Sequence, residues 1–281
     1  MLAVKPYMDA VTEPAAGKVA VFGAPFDATT SFRPGARFGP QALRMASEVL
    51  ESYDPELDRE LPETGFCDLG DLDLPPGSSE LSVALVREKA AELLKIGAIP
   101  LLLGGEHLVS LGAIEAAVES HPDLCVVHLD AHADLRPQYL GVRLSHASVM
   151  RLALESLKPE SLFQFGIRSG TREEWAFMRG QKTLFPANPE GAKEVLRRLN
   201  GRPVYLSLDL DILDPSAFPG TGTTEPGGLS YAQLLALVNA LLSARVVAAD
   251  VVELAPNLDP SGMSAVVAAK IVRTLVLRLT R

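Results

Sequence analysis

The chain has 281 residues, and its 26 Lys and Arg against 35 Asp and Glu give a formal net charge of −9 at pH 7. Hydrophobic residues make up 47% and charged residues 22%, a composition typical of a folded globular protein that excludes an intrinsically disordered chain. The acidic balance argues against a nucleic-acid partner, because phosphate binding needs a basic face. No apolar run approaches the roughly 18 residues of a membrane span, so no membrane partner is expected.

Cysteine usage and the first residues indicate the compartment. Cys67 and Cys125 form no CxxC pair, and Cys125 lies in the apolar run LCVVHL, where we expect a buried core residue. So few cysteines are typical of a reducing compartment. The opening residues MLAVKPYMDAVTEP contain Asp9 and Glu13 and no apolar segment of the kind that a signal peptide needs. We therefore expect a cytoplasmic location.

Short apolar runs recur along the chain and predict eight strands. Most runs are continuous rather than alternating, which is typical of strands that are buried on both faces of a parallel sheet. The predicted strands cover residues 18–25, 66–73, 99–105, 124–130, 162–167, 182–185, 204–210 and 246–254.

Helical patterns lie between these strands. Residues 80–97 have apolar positions at three- and four-residue spacing and end at Gly97, a predicted C-terminal cap. Residues 231–244 follow Ser230, a predicted N-cap. Residues 263–279 are apolar around most of the helix, which predicts a helix packed by neighbours on several sides.

The alternation of strands and helices predicts one α/β domain over residues 1–281. Periodicity alone is compatible both with a TIM barrel and with an open doubly wound sheet. The Pro- and Gly-rich stretch 214–228 directly follows a predicted strand. We interpret it as a loop that shapes a site and not as a domain boundary.

Acidic and histidine residues cluster at the carboxyl ends of three predicted strands, the edge at which α/β folds bind ligands. Residues two apart in extended backbone project from the same face, so each cluster is expected to aim its side chains one way. The clusters LLLGGEH, HLDAHAD and SLDLDILDP supply His107, then Asp130, His132 and Asp134, then Asp209 and Asp211.

Other residues near the clusters have structural explanations. His107 taken alone would be a capping or core histidine, and Asp214 before a proline is typical of a turn. His128, out of phase with Asp130 in its apolar run, is interpreted as a structural histidine. His121, before Pro122 at a helix end, is expected at the surface.

The six clustered side chains together indicate a metal site. Burying so many ionisable groups without a cation would be costly. Four aspartates and two histidines suit two divalent ions better than one, and an oxygen-rich set without thiolates favours Mn²⁺ over Zn²⁺. Two ions roughly 3.5–4 Å apart can activate a water molecule. The spacing therefore predicts a binuclear hydrolase without naming its substrate.

These residues resemble the motifs of the ureohydrolase family, which includes arginases and agmatinases. GGEHLVS is similar to the family's GGDH motif, with Glu106 in place of Asp, and DAHAD matches the second motif. SLDLDILDP and GTGTTEPGG match the third, with Thr224 where many members have Pro, and DVVELAP is similar to the fourth. The motifs follow in family order across residues 104–256. With FGAPFD and the segment 33–40, the resemblance covers nearly the whole chain.

The resemblance implies a three-layer α/β/α fold with a largely parallel eight-stranded sheet, two Mn²⁺ ions and a homo-oligomer, a trimer or a hexamer. It assigns one ion to His107, Asp130, Asp134 and Asp209, and the other to His132, Asp130, Asp209 and Asp211.

The resemblance also implies roles in a reaction that cleaves a guanidino compound to urea and an amine. Glu253 is expected to pair with the guanidinium group, and Thr223 to lie in the same pocket. His146 is expected to shuttle a proton, with Asp134 as an alternative donor.

The substrate tail is expected to meet the loops 135–146 and 164–175. The first of these has no Asn and lacks the Asn and Ser pattern of arginases, and both loops resemble those of agmatinases. We therefore expect agmatine to be cleaved to putrescine and urea. Arg136 and Arg143 would favour a carboxylate tail, so guanidinobutyrate remains an alternative, as does arginine.

Two further readings share the fold. The deacetylase branch uses one zinc ion and fewer aspartates, and the full set of six ligand residues argues against it. A metal-binding pseudoenzyme would be indicated by the loss of a ligand residue, and none is lost.

Overall fold

A parallel sheet of eight strands forms the centre of the protein in a computed structural model, which describes residues 5–11 and 13–280. Residues 1–4, 12 and 281 of the predicted domain lie outside the described residues. The strands are β1 Val19–Ala24, β2 Cys67–Asp71, β3 Ile99–Gly104, β4 Cys125–Leu129, β5 Leu162–Phe165, β6 Leu184–Phe185, β7 Pro203–Asp209 and β8 Arg245–Val252. All eight predicted strands are confirmed.

The strand order decides between the two architectures that periodicity left open. It is β2-β1-β3-β8-β7-β4-β5-β6, and every neighbouring pair is parallel. The sheet ends at β2 on one side and at β6 on the other, so it is open and not a barrel. The order places β3, β8, β7 and β4 side by side, although these strands are far apart in the chain.

Eight α-helices accompany the sheet within the described residues. They are α1 Gly39–Ser47, α2 Ser79–Lys95, α3 Ser110–Ser120, α4 Val149–Ala153, α5 Arg172–Gln181, α6 Pro189–Leu199, α7 Tyr231–Leu241 and α8 Met263–Leu279. Single 3-10 turns occur at Tyr7–Asp9, Ala36–Phe38, Pro62–Thr64, His107–Val109, His146–Ser148, Leu210–Ile212 and Pro256–Leu258. An antiparallel pair of two-residue strands, Tyr53–Asp54 with Arg59–Glu60, was not predicted.

The three helices named from the sequence are confirmed, with small shifts at their ends. Helix α2 ends before Gly97, whose φ of 77° is suited to glycine and turns the chain into β3. Ser230 accepts a hydrogen bond from the backbone N–H of Gln233, and the Gln233 side chain accepts one from the Ser230 N–H. This reciprocal pair is a capping box that starts α7.

Two apolar cores lie on opposite faces of the sheet and define the three layers. Helices α1, α6, α7 and α8 pack on one face, and α2, α3, α4 and α5 on the other. Successive residues of β3 alternate between these cores: Leu101 and Leu103 face the first, and Leu102 faces the second. This alternation explains why the strand sequences are continuously apolar. Cys125 is buried as expected.

None of the helices in residues 5–11 and 13–280 is both long enough and apolar enough to cross a membrane.

A buried ion pair joins α1 to the first residues of β2. Arg44 donates from Nε and Nη2 to the two Asp68 carboxylate oxygens at 2.7 and 2.9 Å. Both side chains are almost completely buried. Asp68 also accepts the backbone N–H of Tyr7 at 2.7 Å, so the same carboxylate holds the chain before β1.

Replacing Arg44 with Met should therefore lower the free energy of unfolding by roughly 3–5 kcal/mol, because Asp68 would stay buried without its partner. Urea denaturation followed by circular dichroism measures this change. Arg87→Met is the control: Arg87 pairs with Glu119 and lies 3.8 Å from Glu115 at the surface, and such pairs typically contribute at most about 1 kcal/mol. Equal effects of the two substitutions would contradict the assigned role of the buried pair.

Candidate metal centre

The carboxyl edge of the four central strands collects the candidate ligands. His107 follows β3, Asp130 follows β4, and Asp209 ends β7. Glu253 follows β8, which lies between β3 and β7. The strand order thus brings all of the candidate groups to one edge.

The first group of donors surrounds His107. Its Nδ1 atom lies 3.1 Å from Asp130 Oδ2, 3.1 Å from Asp134 Oδ2 and 3.4 Å from Asp209 Oδ2. These four side chains are buried. They are the four residues expected to hold the first ion.

The second group surrounds His132. Its Nδ1 atom lies 2.8 Å from Asp211 Oδ2 and 3.5 Å from Asp130 Oδ1. Asp130 presents one carboxylate oxygen to each histidine, which is the arrangement of a bridging ligand. Asp211 donates its backbone N–H to Asp209 Oδ1 at 2.8 Å, which places both aspartates in one turn.

The side chains converge, but the predicted reason for their convergence is wrong. Strand β4 ends at Leu129, and Asp134 has a left-handed backbone with φ of 52°. Asp211 lies in the 3-10 turn Leu210–Ile212. The aspartates therefore meet because the chain turns sharply after each strand, and not because alternate residues of an extended strand share a face.

His107 is oriented by a buried hydrogen-bond chain that the sequence analysis did not identify. Ser207 donates its hydroxyl to Asp250, and the Ser207 Oγ lies 2.8 Å from His107 Nε2. Because the Ser207 proton is used on Asp250, His107 Nε2 must be the donor, and its Nδ1 carries a lone pair. This chain of hydrogen bonds could have been predicted from the sequence, because Ser207 and Asp250 are polar residues within two apolar strands and each needs a hydrogen-bond partner there.

A second chain orients Asp130. Thr183 donates to Gln164 Oε1, and Gln164 Nε2 contacts His128 Nδ1 at 3.1 Å. His128 Nε2 lies 2.8 Å from Asp130 Oδ2. Gln164 Nε2 also donates to a backbone carbonyl, so this end of its amide is the donor and His128 Nδ1 accepts. His128 is thus structural, as expected, and donates to the candidate ligand Asp130.

The donor set fits divalent cations. His107 Nδ1 is buried, has no hydrogen-bond partner in the described residues, and lies 3.1–3.4 Å from three carboxylate oxygens. Burial and the charges of Asp211 and Asp130 raise the pKa of Asp209 well above its usual value. A bound cation would give His107 Nδ1 a partner and would reduce the repulsion among the buried carboxylates. Carboxylate and imidazole donors match a hard or borderline metal.

A cavity of about 200 Å³ opens onto this cluster. Its lining includes both expected loops: Arg136, Tyr139 and His146 come from the first, and Ser169, Gly170 and Glu174 from the second. Ser31, Thr223, Glu225 and Glu253 also line the cavity. Ser31, Tyr139, Glu174 and Glu225 were not identified from the sequence, because only the tertiary structure brings their loops together.

Glu253 is held in a costly backbone conformation at the floor of the cavity. Its φ is 68°, a region that side chains other than glycine rarely adopt. Its Oε1 accepts the backbone N–H of His107 at 2.8 Å, and its own N–H donates to the Gly105 carbonyl at 2.9 Å. These bonds fix the carboxylate beside the candidate ligand His107.

His146 lies on the other side of the cavity, in a short 3-10 turn that Ser145 caps. Its Nδ1 is 3.4 Å from Thr29 Oγ1, and its Nε2 is 3.3 Å from Ser31 Oγ. Burial lowers the pKa of His146 below its ordinary value, so the ring is neutral near pH 7.

The two arginines of the tail loop have different surroundings. Arg143 pairs with Glu155 at 2.5 Å on the exposed surface and is not part of the cavity lining. Arg136 does line the cavity, but its guanidinium stacks over Tyr139 at 4.9 Å from the ring centre and lies 3.9 Å from Glu174 Oε2. Of the two arginines, only Arg136 is placed to meet a substrate tail.

Comparison with known proteins identifies the family. A profile of the arginase family matches residues 17–277. The chain belongs to the arginase family. This result agrees with the resemblance of its four motifs.

Several relatives are similar over most of their length. An agmatinase of Bacillus anthracis is 45% identical over 264 residues, which cover 92% of this chain and 91% of that protein. An N(1)-aminopropylagmatine ureohydrolase of Thermus thermophilus is 41% identical, over 85% of this chain and 83% of that protein. The solved structure of proclavaminate amidino hydrolase from Streptomyces clavuligerus has a TM-score of 0.91 at 32% identity, over 98% and 96% of the two chains.

Metal analysis of the purified protein tests the donor set. After loading with Mn²⁺ we expect close to two ions per chain, because Asp130 contacts both His107, which Asp134 and Asp209 also surround, and His132, which Asp211 also contacts. Asp209→Ala should reduce bound metal strongly, because both ions would lose Asp209 as a ligand. Asp123→Ala, at an exposed surface pair, is the control and should bind as the unchanged protein does. Full metal content in Asp209→Ala would contradict the assignment.

Proposed function

We propose that this protein is a ureohydrolase that cleaves agmatine to putrescine and urea. The observation that carries the proposal is the cavity. Candidate metal ligands line it together with Glu253, His146 and a further carboxylate, Glu225. The family assignment and the agmatinases among the similar proteins support the same substrate class.

We further propose two Mn²⁺ ions as the cofactor. His107, Asp130, Asp134 and Asp209 would hold one, and His132, Asp130, Asp209 and Asp211 the other. Such ions supply Lewis-acid activation of a water molecule near neutral pH.

The residues of the chain bind the substrate and move its protons. The planar guanidinium group matches the fork of the Glu253 carboxylate, whose backbone is already fixed by His107 and Gly105. Thr223 lies in the same cavity and limits the space beside the guanidinium group. His146, neutral and at the cavity wall, accepts the proton that the attacking water loses and returns it to the leaving amine nitrogen. Asp134 is the alternative carrier.

Glu225 is the group that we assign to the distal ammonium of agmatine. It lines the cavity, and its carboxylate makes no ion pair in the part of the chain that the structure describes. Its backbone carbonyl accepts from Arg168 Nη2 at 2.8 Å, and the same nitrogen donates to the Asp211 carbonyl at 2.8 Å. Arg168 thus ties the Glu225 loop to the turn that carries a candidate metal ligand. A carboxylate in this place attracts a cationic tail and repels a carboxylate tail.

Urea release from a panel of guanidino compounds tests the substrate. We expect kcat/KM for agmatine to exceed that for arginine at least ~100-fold, equivalent to about 2.7 kcal/mol of differential transition-state binding. The reason is that the α-carboxylate of arginine would share the cavity with the Glu225 carboxylate, whose like charge repels it. Comparable turnover of the two compounds would contradict the proposed substrate.

Two variants separate agmatine from guanidinobutyrate. Glu225→Gln should lower kcat/KM for agmatine by roughly tenfold, in line with the loss of a charge-assisted hydrogen bond, and should not harm guanidinobutyrate. Arg143→Ala is the control and should change neither substrate, since Arg143 pairs with Glu155 outside the cavity. A preference for guanidinobutyrate would indicate that Arg136, and not Glu225, binds the tail of the substrate.

His146→Ala tests the proton transfer. We expect kcat to fall by roughly 10²–10⁴-fold, the usual contribution of a general acid–base group, with Asp134 able to reduce the loss. Bound Mn²⁺ should stay unchanged, because His146 is not among the candidate ligands. Unchanged kcat would remove His146 from the mechanism, and a fall in bound metal would give it a structural role.

The remaining expectations are proposed with this function. They are a single domain over residues 1–281, a homo-oligomer that is a trimer or a hexamer, and a cytoplasmic location. Inactivity towards every guanidino compound, with both metals bound, would favour the pseudoenzyme. Deacetylase activity with a single zinc ion would favour that branch.

A further inference from the structure

We propose that Arg33 and Arg168 are positioning residues that hold the two ends of the segment 221–225, and that Arg168 sets the selectivity for a cationic tail by fixing Glu225. Thr223 and Glu225 of this segment line the cavity. The inference rests on the proposed assignment of Glu225 to the distal ammonium of agmatine.

The segment lacks the backbone hydrogen bonds that usually fix a loop. Residues 222–226 belong to no helix or strand, and none of their backbone groups bonds to another backbone group in the part of the chain that the structure describes. The hydrogen bonds that the structure shows for this stretch are donated by two guanidinium groups. A loop held in this way depends on the residues that supply those groups.

Arg33 holds the end of the segment that lies near Glu253. Its Nη2 donates to the Thr221 carbonyl at 2.9 Å, and its Nε donates to the Gly222 carbonyl at 3.1 Å. A side chain at position 222 would begin 4.0 Å from Glu253 Oε2. Arg33 therefore fixes the backbone beside the carboxylate that we assign to the guanidinium group of the substrate.

Arg168 holds the end that carries Glu225. Its Nη2 and Nε donate to the Glu225 carbonyl at 2.8 and 3.3 Å. Nη2 also donates to the Asp211 carbonyl at 2.8 Å, and Nη1 donates to the carbonyls of Gly166 and Ile212, each at 3.3 Å. A guanidinium group has five N–H bonds, and each of them has a carbonyl acceptor here.

This use of the Arg168 donors has two consequences for Glu225. The guanidinium binds carbonyl oxygens, so the Glu225 carboxylate keeps its charge for a substrate. The N–H of Arg168 also donates to the carbonyl of Ala131, between the candidate ligands Asp130 and His132, at 2.8 Å. Arg168 thus sets the position of Glu225 relative to the loop that carries metal donors.

A comparison of two substrates isolates the role of Arg168. Agmatine and butylguanidine share the guanidino group and the butyl chain and differ in the distal ammonium. The ratio of their kcat/KM values, measured with the full chain loaded with Mn²⁺, does not depend on the fraction of active protein. Glu225→Gln should lower this ratio roughly tenfold, through the loss of a charge-assisted hydrogen bond.

Substitutions of Arg168 should lower the same ratio. We expect a loss of about tenfold for Arg168→Met and of about threefold for Arg168→Lys, because lysine keeps the charge but cannot reproduce the planar fork. In the Glu225→Gln background neither substitution should lower the ratio further, since both act through one carboxylate. Circular dichroism checks folding, and Arg168→Lys decides the test if Arg168→Met does not fold.

Arg33→Met is the matched contrast at the other end of the segment. It should lower kcat/KM for both compounds by the same factor, because they share the guanidino group, and should leave the ratio unchanged within about twofold. A purely structural role of Arg168 would produce the same pattern in its own variants.

The outcomes separate this inference from the proposed function. No urea release from agmatine by the unchanged protein, or an unchanged ratio in Glu225→Gln, would overturn both the tail assignment and the role of Arg168. A lowered ratio in Glu225→Gln beside an unchanged ratio in the Arg168 variants would overturn only the positioning role. The same holds if Arg168→Lys lowers the ratio equally in both backgrounds. A lowered ratio in Arg33→Met would overturn the division of roles between the two arginines.

Discussion

The burial of four aspartates at one edge of the sheet is the constraint on which the rest of the structure depends. Asp130, Asp134, Asp209 and Asp211 are buried, and the Nδ1 atoms of His107 and His132 lie 3.1 Å and 2.8 Å from their nearest carboxylate oxygens. Such a cluster is unfavourable unless cations bind to it. The backbone around the cluster is also strained. The left-handed conformations of Asp134 and Glu253 are each unfavourable by roughly 1–3 kcal/mol.

Hydrogen bonds around the cluster stabilise these strained residues and orient the candidate ligands. The Asp134 carbonyl accepts the N–H groups of Met150 and Arg151, and the Glu253 carboxylate accepts the N–H of His107. Asp250 orients His107 through Ser207, and Gln164 orients Asp130 through His128. The side chains of His107, Asp130 and Glu253 are thus each held by a hydrogen-bond partner. The site is organised before any ligand arrives, which is what metal binding and proton transfer require.

The same scaffold separates the candidate metal donors from the residues that we propose meet the substrate tail. The donors and Glu253 follow the four central strands, whereas the tail side of the cavity is formed by loops that carry Tyr139, Glu174 and Glu225. Similar proteins are named for agmatine, for N(1)-aminopropylagmatine and for proclavaminate, whose guanidino groups carry different tails. Loop residues on a fixed set of strands provide this variation without disturbing the metal donors.

The sequence by itself determined the strands, the order of the motifs and the residues of the candidate centre. Apolar runs mark buried strands, and His107, Asp130, His132, Asp134, Asp209 and Asp211 stand out because charged residues at the ends of such runs need partners. The tertiary structure alone decided the strand order, the surface pairing of Arg143, and the cavity positions of Ser31 and Glu225. It also placed Thr29 beside His146, more than a hundred residues away in the chain. Local patterns report burial and backbone conformation, whereas these contacts depend on how distant loops meet at the sheet edge, and no spacing along the chain encodes that.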